Sequence, residues 1–292
     1  MHDIRHNSKG LIPHGMSACA GCGMELIIRK VMEVLGEDTV IIIPPGCAAQ
    51  FSGYGIETAI KVPGYQCNLE NTAASAVGVR AALNAQGNTH TNVVGFAGDG
   101  ATLDIGIQAL SGAIERQDKI VYICYDNEAY MNTGIQASSS TPYMVSTTTT
   151  PSGKPTKRKD LMQIAIAHDI DYAATASIHN LSDLKKKIQK AKDTDGTSLL
   201  HIHTPCPTGW RYDPAKTIEL AKAAVQSGLW VLYEYEEGKV KINYKPKELA
   251  PIDAYINPQG RFKILSDEQK SELQRVTTDS YYNYIKKLEH MA

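Results

Sequence analysis

Four cysteines of this sequence lie in short segments that also contain glycine or proline. Cys19 and Cys22 form a Cys-Ala-Gly-Cys-Gly pair, Cys47 follows Pro-Pro-Gly, and Cys206 lies between two prolines. Glycine and proline permit sharp turns and a close approach of the backbone to a bound group. Thiolates presented in this way suit an iron–sulfur cluster. The spacing leaves a zinc site, a redox-active pair and plain buried thiols open as alternatives.

Polar residues follow two apolar runs at the points where those runs end. Gly-Asp-Gly, centred on Asp99, comes directly after 92–97, and an Asp-Asn pair ending at Asn127 comes directly after 119–125. The carboxyl ends of parallel strands meet at one edge of a sheet, where ligands bind. Carboxylate and amide oxygens suit Mg²⁺, which usually holds phosphates as well. The 25 residues between the two motifs also match the spacing of the thiamine-diphosphate motif, so we predict a diphosphate–magnesium site.

The elements that position these residues alternate between helix and strand patterns. The spacing predicts helices at 25–35, 72–86, 103–116, 159–168, 181–193, 214–227 and 267–289, and strands at 39–43, 92–97, 119–125, 171–176 and 198–203. This alternation indicates an α/β fold with a mostly parallel sheet flanked by helices. The loop 126–158 has no periodic pattern, and a loop of that length is typically functional. We divide the chain into a domain, 1–232, and an extended tail, 233–292, that ends in a helix and packs on the domain or on a partner subunit.

Composition excludes several classes of protein. The 292 residues carry a formal net charge of −1, and 42% of them are hydrophobic. No basic face for nucleic acid is visible, and no apolar stretch approaches the length of a membrane span. Six cysteines are too few for a disulfide scaffold in a chain of this length. We therefore expect a cytoplasmic protein that binds neither nucleic acid nor membrane, with structural roles for Cys67 and Cys124.

Several longer motifs are specific enough to suggest a family. They are CAGCG at 19–23, NLEN at 68–71, GDGATLDIG at 98–106, YICYDNEAYMNTGIQ at 122–136, TPY at 141–143 and PCPTGW at 205–210. Together they resemble the beta subunit of the pyruvate:ferredoxin oxidoreductase family, the 2-oxoacid:ferredoxin oxidoreductases. The resemblance covers nearly the whole chain. It implies a thiamine-diphosphate-binding fold for the domain 1–232.

The resemblance also implies a role for individual residues. It assigns Cys19, Cys22, Cys47 and Cys206 to a 4Fe–4S cluster. It assigns Mg²⁺ to Asp99, Asn127 and the carbonyl of Ala129. It places further residues beside thiamine diphosphate: Gly46, Cys47, Glu70, Asn71, Gly98, Gly100, Asn132 and Thr133. Asn132 would also lie beside the substrate, as the catalytic residue of this chain.

The activity implied is the oxidative decarboxylation of a 2-oxoacid, with pyruvate as the first expectation. Coenzyme A would accept the acyl group, and the cluster would pass electrons to ferredoxin. In such enzymes a glutamate from another subunit activates the thiamine, so we expect alpha and gamma/delta-type partner subunits, without which this chain is inactive.

Two departures from the family pattern affect the choice of substrate. Met24 stands where family members often have a glutamate, and the segment 48–66 differs from that of pyruvate enzymes. Oxalate, a branched-chain 2-oxoacid or an aryl 2-oxoacid is therefore an alternative substrate. A non-catalytic electron-transfer or zinc-binding subunit is the alternative of a different class.

Overall fold

The protein folds around one large sheet with helices on both faces. The computed structural model describes residues 10–12, 16–52 and 60–292. Parts of the predicted domain 1–232 therefore lie outside the described residues. So does part of the segment 48–66, which differs from the pattern of pyruvate enzymes. The strands are β1 Thr39–Ile43, β2 Gly64–Gln66, β3 Asn92–Gly98, β4 Ile120–Asp126, β5 Tyr172–Ser177, β6 Thr197–His203, β7 Leu232–Glu236 and β8 Lys239–Tyr244.

The helices lie mostly between consecutive strands, as the sequence pattern predicts. They are α1 Gly23–Leu35, α2 Ala49–Ser52, α3 Thr72–Ala85, α4 Ile107–Arg116, α5 Leu161–Ile166, α6 Leu181–Asp193, α7 Pro207–Trp210, α8 Thr217–Gln226, α9 Asp253–Ile256 and α10 Asp267–Glu289. A π-helical turn, Ala101–Ile105, precedes α4, and 3₁₀ turns at Pro214–Lys216 and Gly260–Phe262 precede α8 and follow α9. None of the helices in the described part of the chain is both long and apolar enough to span a membrane.

The strand order in the sheet is β2-β1-β3-β4-β6-β5-β7-β8. The first six of these strands run parallel, and β7 and β8 add to the edge of β5 as an antiparallel hairpin. The predicted α/β fold with a mostly parallel sheet is therefore confirmed. The strands β1, β3, β4 and β6 are consecutive neighbours, so the loops that follow them lie side by side.

Side chains of each strand alternate between two apolar cores. On β4, Val121, Ile123 and Tyr125 belong to the core beneath α1 and α6, whereas Tyr122 and Cys124 belong to the core beneath α3 and α4. Both faces are buried, which explains why the parallel strands are near-continuous apolar runs in the sequence. The structural role expected for Cys124 agrees with this placement.

The C-terminal segment begins with extended strands and ends in a helix, as the sequence predicts. β7 begins at Leu232 and pairs with β5, so the predicted boundary between 1–232 and 233–292 lies at the start of a strand of the main sheet. The final helix α10 begins and ends as predicted, and a Ser266 capping box fixes its start. Ile252, Tyr255 and other apolar residues of the segment join a third core with Trp210. The hairpin escaped prediction because its tyrosines and lysines obscure the alternation typical of a strand.

Candidate functional site

The predicted site residues lie in loops that follow adjacent parallel strands. Cys47 follows β1, Asp99 follows β3, Asn127 follows β4, and Cys206 follows β6. Each loop begins at the carboxyl end of its strand, so all four open on the same edge of the sheet. The amino end of α1 lies at the same edge. Residues as far apart in the sequence as positions 19 and 206, a separation of 187, therefore contribute to one site.

All four predicted cluster cysteines border one cavity. Cys19 and Cys22 lie just before α1, where the Cys22 amide donates a 3.0 Å hydrogen bond to the Cys19 carbonyl. Cys47 and Cys206 reach the same cavity from the ends of β1 and β6. The rest of its lining is Ala18, Met24, Gln50, Asn127, Thr204, Pro205 and Pro207. The structure thus brings the close pair and the two distant cysteines together.

The thiols of this cavity affect one another electrostatically. Burial, together with the neighbouring cysteines, raises the pKa of Cys22 to about 11 and that of Cys47 to about 12. Burial also raises the pKa of Cys206, although the Gly209 amide donates a hydrogen bond of 3.3 Å to its sulfur. Four thiolates would therefore repel each other here unless a positively charged group lay between them. Within the described residues, no three Cys, His, Asp or Glu side chains are arranged to hold a single metal ion.

A second cavity adjoins the first. It is bordered by Pro45, Gly46, Cys47, Leu69, Gly98, Asp99, Gly100, Ala101, Tyr125, Asn127, Ala129, Tyr130, Met131, Asn132 and Thr133. Most of the residues expected beside the diphosphate are among them. Cys47 and Asn127 border both cavities, so a group held by the cysteines and a group held at the second cavity would be neighbours.

Three polar groups converge at the floor of the second cavity. One amide heteroatom of Asn127 lies 3.1 Å from Asp99 Oδ1 and 2.9 Å from the Ala129 carbonyl oxygen. With the amide nitrogen at that position, Asn127 donates hydrogen bonds to both oxygens. With the amide oxygen there, it lies beside two other oxygens, and oxygen ligands of this kind suit a hard cation. Glu128, between Asn127 and Ala129, has a φ of 66°, a left-handed backbone conformation that is uncommon for a residue with a side chain.

Two glycines of the site have a steric role. Gly46 has a φ of 146°, a conformation that only glycine adopts readily. Gly100 is helical, and a Cβ there would lie 2.4 Å from the ring of Tyr130. The chain enters a helical turn directly after β3, and glycine is needed at position 100 because an aromatic ring packs against the backbone.

A buried polar network lies behind Asp99. The Ser138 hydroxyl donates to Asp99 Oδ2, the Ser140 hydroxyl donates to Asp126 Oδ2, and His201 Nε2 lies 2.7 Å from the same Asp126 oxygen. Burial and the charge of Asp126 raise the pKa of Asp99 well above its ordinary value. A cation bound at Asp99 would offset that repulsion. Sequence reasoning missed the serines, although their place in the long loop 126–158 was a signal that the loop packs against the site.

Two of the expected cofactor residues lie slightly apart from the cavities. Glu70 and Asn71 are in the turn before α3, beside Leu69, and of these three described residues only Leu69 borders the second cavity. Asn132 and Thr133 do border it. Met24, which replaces the expected glutamate, lines the cysteine cavity. An apolar thioether therefore occupies that position at the cysteine cavity.

Comparison with known proteins finds a matching family and similar relatives. The family described as thiamine pyrophosphate enzyme, C-terminal TPP-binding domain, matches residues 44–202, which is more than half of the chain. The chain is 49% identical over 265 residues to the pyruvate synthase subunit PorB of Methanothermobacter thermautotrophicus, covering 89% of this chain and 92% of that subunit. It is 44% identical over 286 residues to the ketoisovalerate oxidoreductase subunit VorB of Pyrococcus furiosus, covering 94% and 92% respectively.

A solved structure supports the fold alone. The 2-oxoglutarate:ferredoxin oxidoreductase from Magnetococcus marinus, with 2-oxoglutarate, coenzyme A and succinyl-CoA bound, superposes with a TM-score of 0.60 at 20% identity, covering 76% of this chain and 84% of that chain. On the strength of the closer sequence relatives, this chain belongs to the beta-subunit family of the 2-oxoacid:ferredoxin oxidoreductases, oxidoreductases that require partner subunits and are built here on a thiamine-diphosphate-binding domain.

Proposed function

We propose that this chain holds Mg²⁺ and thiamine diphosphate at the second cavity and a 4Fe–4S cluster at the cysteine cavity. In the complete enzyme it would serve the oxidative decarboxylation of pyruvate. The observation that carries the proposal is the shared border formed by Cys47 and Asn127. A group that accepts electrons one at a time must lie close to the cofactor that releases them, and this border puts the two sites in contact.

The oxygens around Asn127 fit a magnesium ion. Octahedral Mg²⁺ with ligands at about 2.1 Å has adjacent ligand oxygens about 3.0 Å apart. The separations at Asn127, 3.1 Å to Asp99 and 2.9 Å to Ala129, agree with that edge. We propose that the Asn127 amide directs its oxygen to the metal when the metal is bound and turns over to donate hydrogen bonds otherwise. The remaining ligand positions would be filled by diphosphate oxygens and water.

The four thiols fit a 4Fe–4S cluster. All four border one cavity. Such a cluster takes four cysteine thiolates, and it tolerates a close pair together with two distant ligands. The amide of Gly209, which donates to the Cys206 sulfur, would also stabilise a thiolate ligand.

When bound, thiamine diphosphate supplies the carbon nucleophile and the electron sink for decarboxylation, and the cluster accepts the electrons singly. This chain's residues would position those groups. Asp99, Asn127 and Ala129 would anchor the metal, and the Gly46 backbone would lie close to both sites. Asn132, on the cavity border, would be available to hydrogen-bond the substrate.

Part of the catalytic machinery must come from elsewhere. Of the described residues that border the second cavity, only Asp99 has a carboxylate, and we assign that carboxylate to the metal. We therefore propose that partner subunits of alpha and gamma/delta type supply the activating glutamate, and that coenzyme A and ferredoxin act as acyl and electron acceptors. We place the complex in the cytoplasm.

Pyruvate is the proposed substrate because three methanogen relatives at 43–49% identity are named pyruvate synthase subunits. The ketoisovalerate enzyme at 44% identity supports a branched-chain 2-oxoacid as the second candidate. Part of the segment that differs most from the pyruvate pattern, 48–66, lies outside the described residues.

The experiment is anaerobic purification of the chain with its partner subunits, followed by iron, sulfide, zinc and thiamine analysis. The complex is then assayed with pyruvate, 2-oxoisovalerate and oxalate, using coenzyme A and a viologen dye. We expect iron, sulfide and thiamine in the protein and the highest kcat/KM with pyruvate. Zinc without sulfide would contradict the cluster, and a preference for 2-oxoisovalerate would assign the second candidate.

A further inference from the structure

A buried arginine of the C-terminal segment contacts residues that lie next to both cavities. Arg261 lies in the 3₁₀ turn Gly260–Phe262 and is 2% exposed. We infer that Arg261 is a positioning residue that holds the metal-binding turn after β4 and the cysteine turn after β6 in one arrangement. This inference rests on the proposed function, because it concerns the relative position of the proposed thiamine-diphosphate site and the proposed cluster.

The first contact reaches the metal-binding turn. Arg261 Nη2 lies 2.7 Å from Glu128 Oε2, and both side chains are almost fully buried. Glu128 is the left-handed residue between Asn127 and Ala129, so its side chain anchors the conformation that directs those two groups to the metal. Arg158 also binds Glu128, at 2.8 Å, but from a side chain that is 24% exposed. Arg261 is therefore the inner of the two partners.

The second contact reaches the cysteine turn. The Arg261 guanidinium lies over the ring of Trp210, 3.6 Å from its centroid. Trp210 ends the short helix α7, which begins directly after Cys206, and its Nε1 donates a 2.8 Å hydrogen bond to the carbonyl of Asn127. The four residues Arg261, Glu128, Asn127 and Trp210 thus form a closed ring of contacts that spans both sites.

The shape of the guanidinium is essential to this ring. Its Nε donates to Gln259 Oε1 at 2.6 Å, and Nη2 donates to the Tyr255 hydroxyl at 3.0 Å, while its flat face covers Trp210. A lysine would keep the charge but lose the planar face and the fixed donor directions. Burial of an ion pair is costly and adds little net stability, so a role in specifying geometry explains its presence better than a role in stability alone.

The inference predicts that one substitution far along the chain disturbs both sites. In the anaerobically purified complex, Arg261→Met is expected to weaken thiamine-diphosphate binding by about tenfold, a coupling typical of two linked sites. It is also expected to alter the electron paramagnetic resonance spectrum of the reduced cluster and to shift its midpoint potential to a more negative value, because a nearby positive charge is removed. Arg261→Lys keeps the charge, so we expect the potential to stay near that of wild type while thiamine-diphosphate affinity still falls.

Arg275→Met is the matched control, because Arg275 lies on α10 of the same segment and, among the described residues, forms an exposed pair with Asp279 at 3.5 Å. Wild-type cofactor affinity and an unchanged cluster spectrum in Arg261→Met would overturn the inference. If Arg261→Met does not assemble, Arg261→Lys decides: affinity equal to that of Arg275→Met would overturn it, and reduced affinity would support it. A wild-type complex without iron, sulfide or thiamine-diphosphate binding would instead contradict the proposed function itself.

Discussion

At the scale of single residues, the site depends on a few donors with little redundancy. Cys47 and Asn127 each border both cavities, and Glu128 holds a left-handed backbone between two proposed metal ligands. Strain of this kind persists only where the surroundings enforce it, and the arginines at Glu128 do so here. Burial alone would raise the pKa of Glu128, yet the Arg261 and Arg158 charges hold that pKa well below its ordinary range.

Cys47→Ala is expected to abolish the cluster. The remaining cysteines would leave one iron without a protein thiolate at the border with the second cavity. Iron, sulfide and the visible spectrum of the anaerobic complex measure the loss. Cys67→Ala is the control, because Cys67 belongs to the core on the other face of the sheet. We expect the iron content of the Cys67→Ala complex to equal that of wild type. Full iron and sulfide in Cys47→Ala would remove this cysteine from the ligand set.

Asp99→Asn is expected to weaken magnesium-dependent binding of thiamine diphosphate by about 100-fold or more. Mutation of a residue that only hydrogen-bonds to a metal ligand already lowers metal affinity by up to about 100-fold. The substitution keeps the side chain's shape but removes the charge that the cation requires. Titration of the complex with the cofactor at fixed Mg²⁺ measures the effect. Asp118→Asn, at the opposite end of β4 and paired with Arg116 at 2.8 Å, should bind like wild type. Equal affinities in the two variants would rule out Asp99 as a metal ligand.

At the scale of elements, the C-terminal segment is part of the domain's core. β7 and β8 extend the sheet beyond β5, and α10 packs Leu288 into the same core as Tyr122 and Leu110. The hydroxyls of Tyr233 on β7 and Tyr284 on α10 are 2.6 Å apart, which ties the helix to the hairpin. The segment therefore supports the sheet and, through Arg261, the site.

Leu288→Ala is expected to lower the free energy of unfolding by about 2–5 kcal/mol, the usual cost of a cavity at a fully buried leucine. The Leu288 side chain is 0% exposed. Denaturant unfolding followed by circular dichroism measures the change. Tyr282→Ala, on an exposed face of the same helix, should change the same free energy by no more than about 0.5 kcal/mol. A small effect at Leu288 would mean that α10 is not an integral part of the core.

At the scale of the whole molecule, the proposed site needs groups from other subunits. Its two cavities would supply thiolates and metal ligands, and Asp99 is the carboxylate among the described residues that border the second cavity. The relatives of this chain are named as subunits. We therefore expect partner subunits to complete the proposed site.

The isolated chain is expected to retain its cluster but to show no 2-oxoacid oxidation, and addition of the partner subunits should restore viologen reduction. The chemical reason is that the aminopyrimidine needs a carboxylate from outside this chain. Iron content and activity, measured before and after mixing, test both parts. Turnover by the isolated chain would show that the activating group lies within it.

The sequence by itself determined the donor types, the parallel α/β order and the edge at which the donors meet. Apolar runs predicted β1, β3, β4 and β6, and the motifs that end them supplied Cys47, Asp99, Asn127 and Cys206. This succeeds because parallel strands necessarily place their carboxyl ends together, so local spacing is sufficient to locate the site.

Only the tertiary structure decided how these donors are held. The pairing of the hairpin β7–β8 with β5 and the packing of an aromatic ring against Gly100 depend on contacts between distant segments. Arg261 illustrates the limit: it lies 133 positions from Glu128 in the chain, 261 against 128, and no local pattern encodes their contact. Packing of the C-terminal segment brings the two together, because burying its apolar side chains places the guanidinium between the turn after β4 and the turn that follows β6.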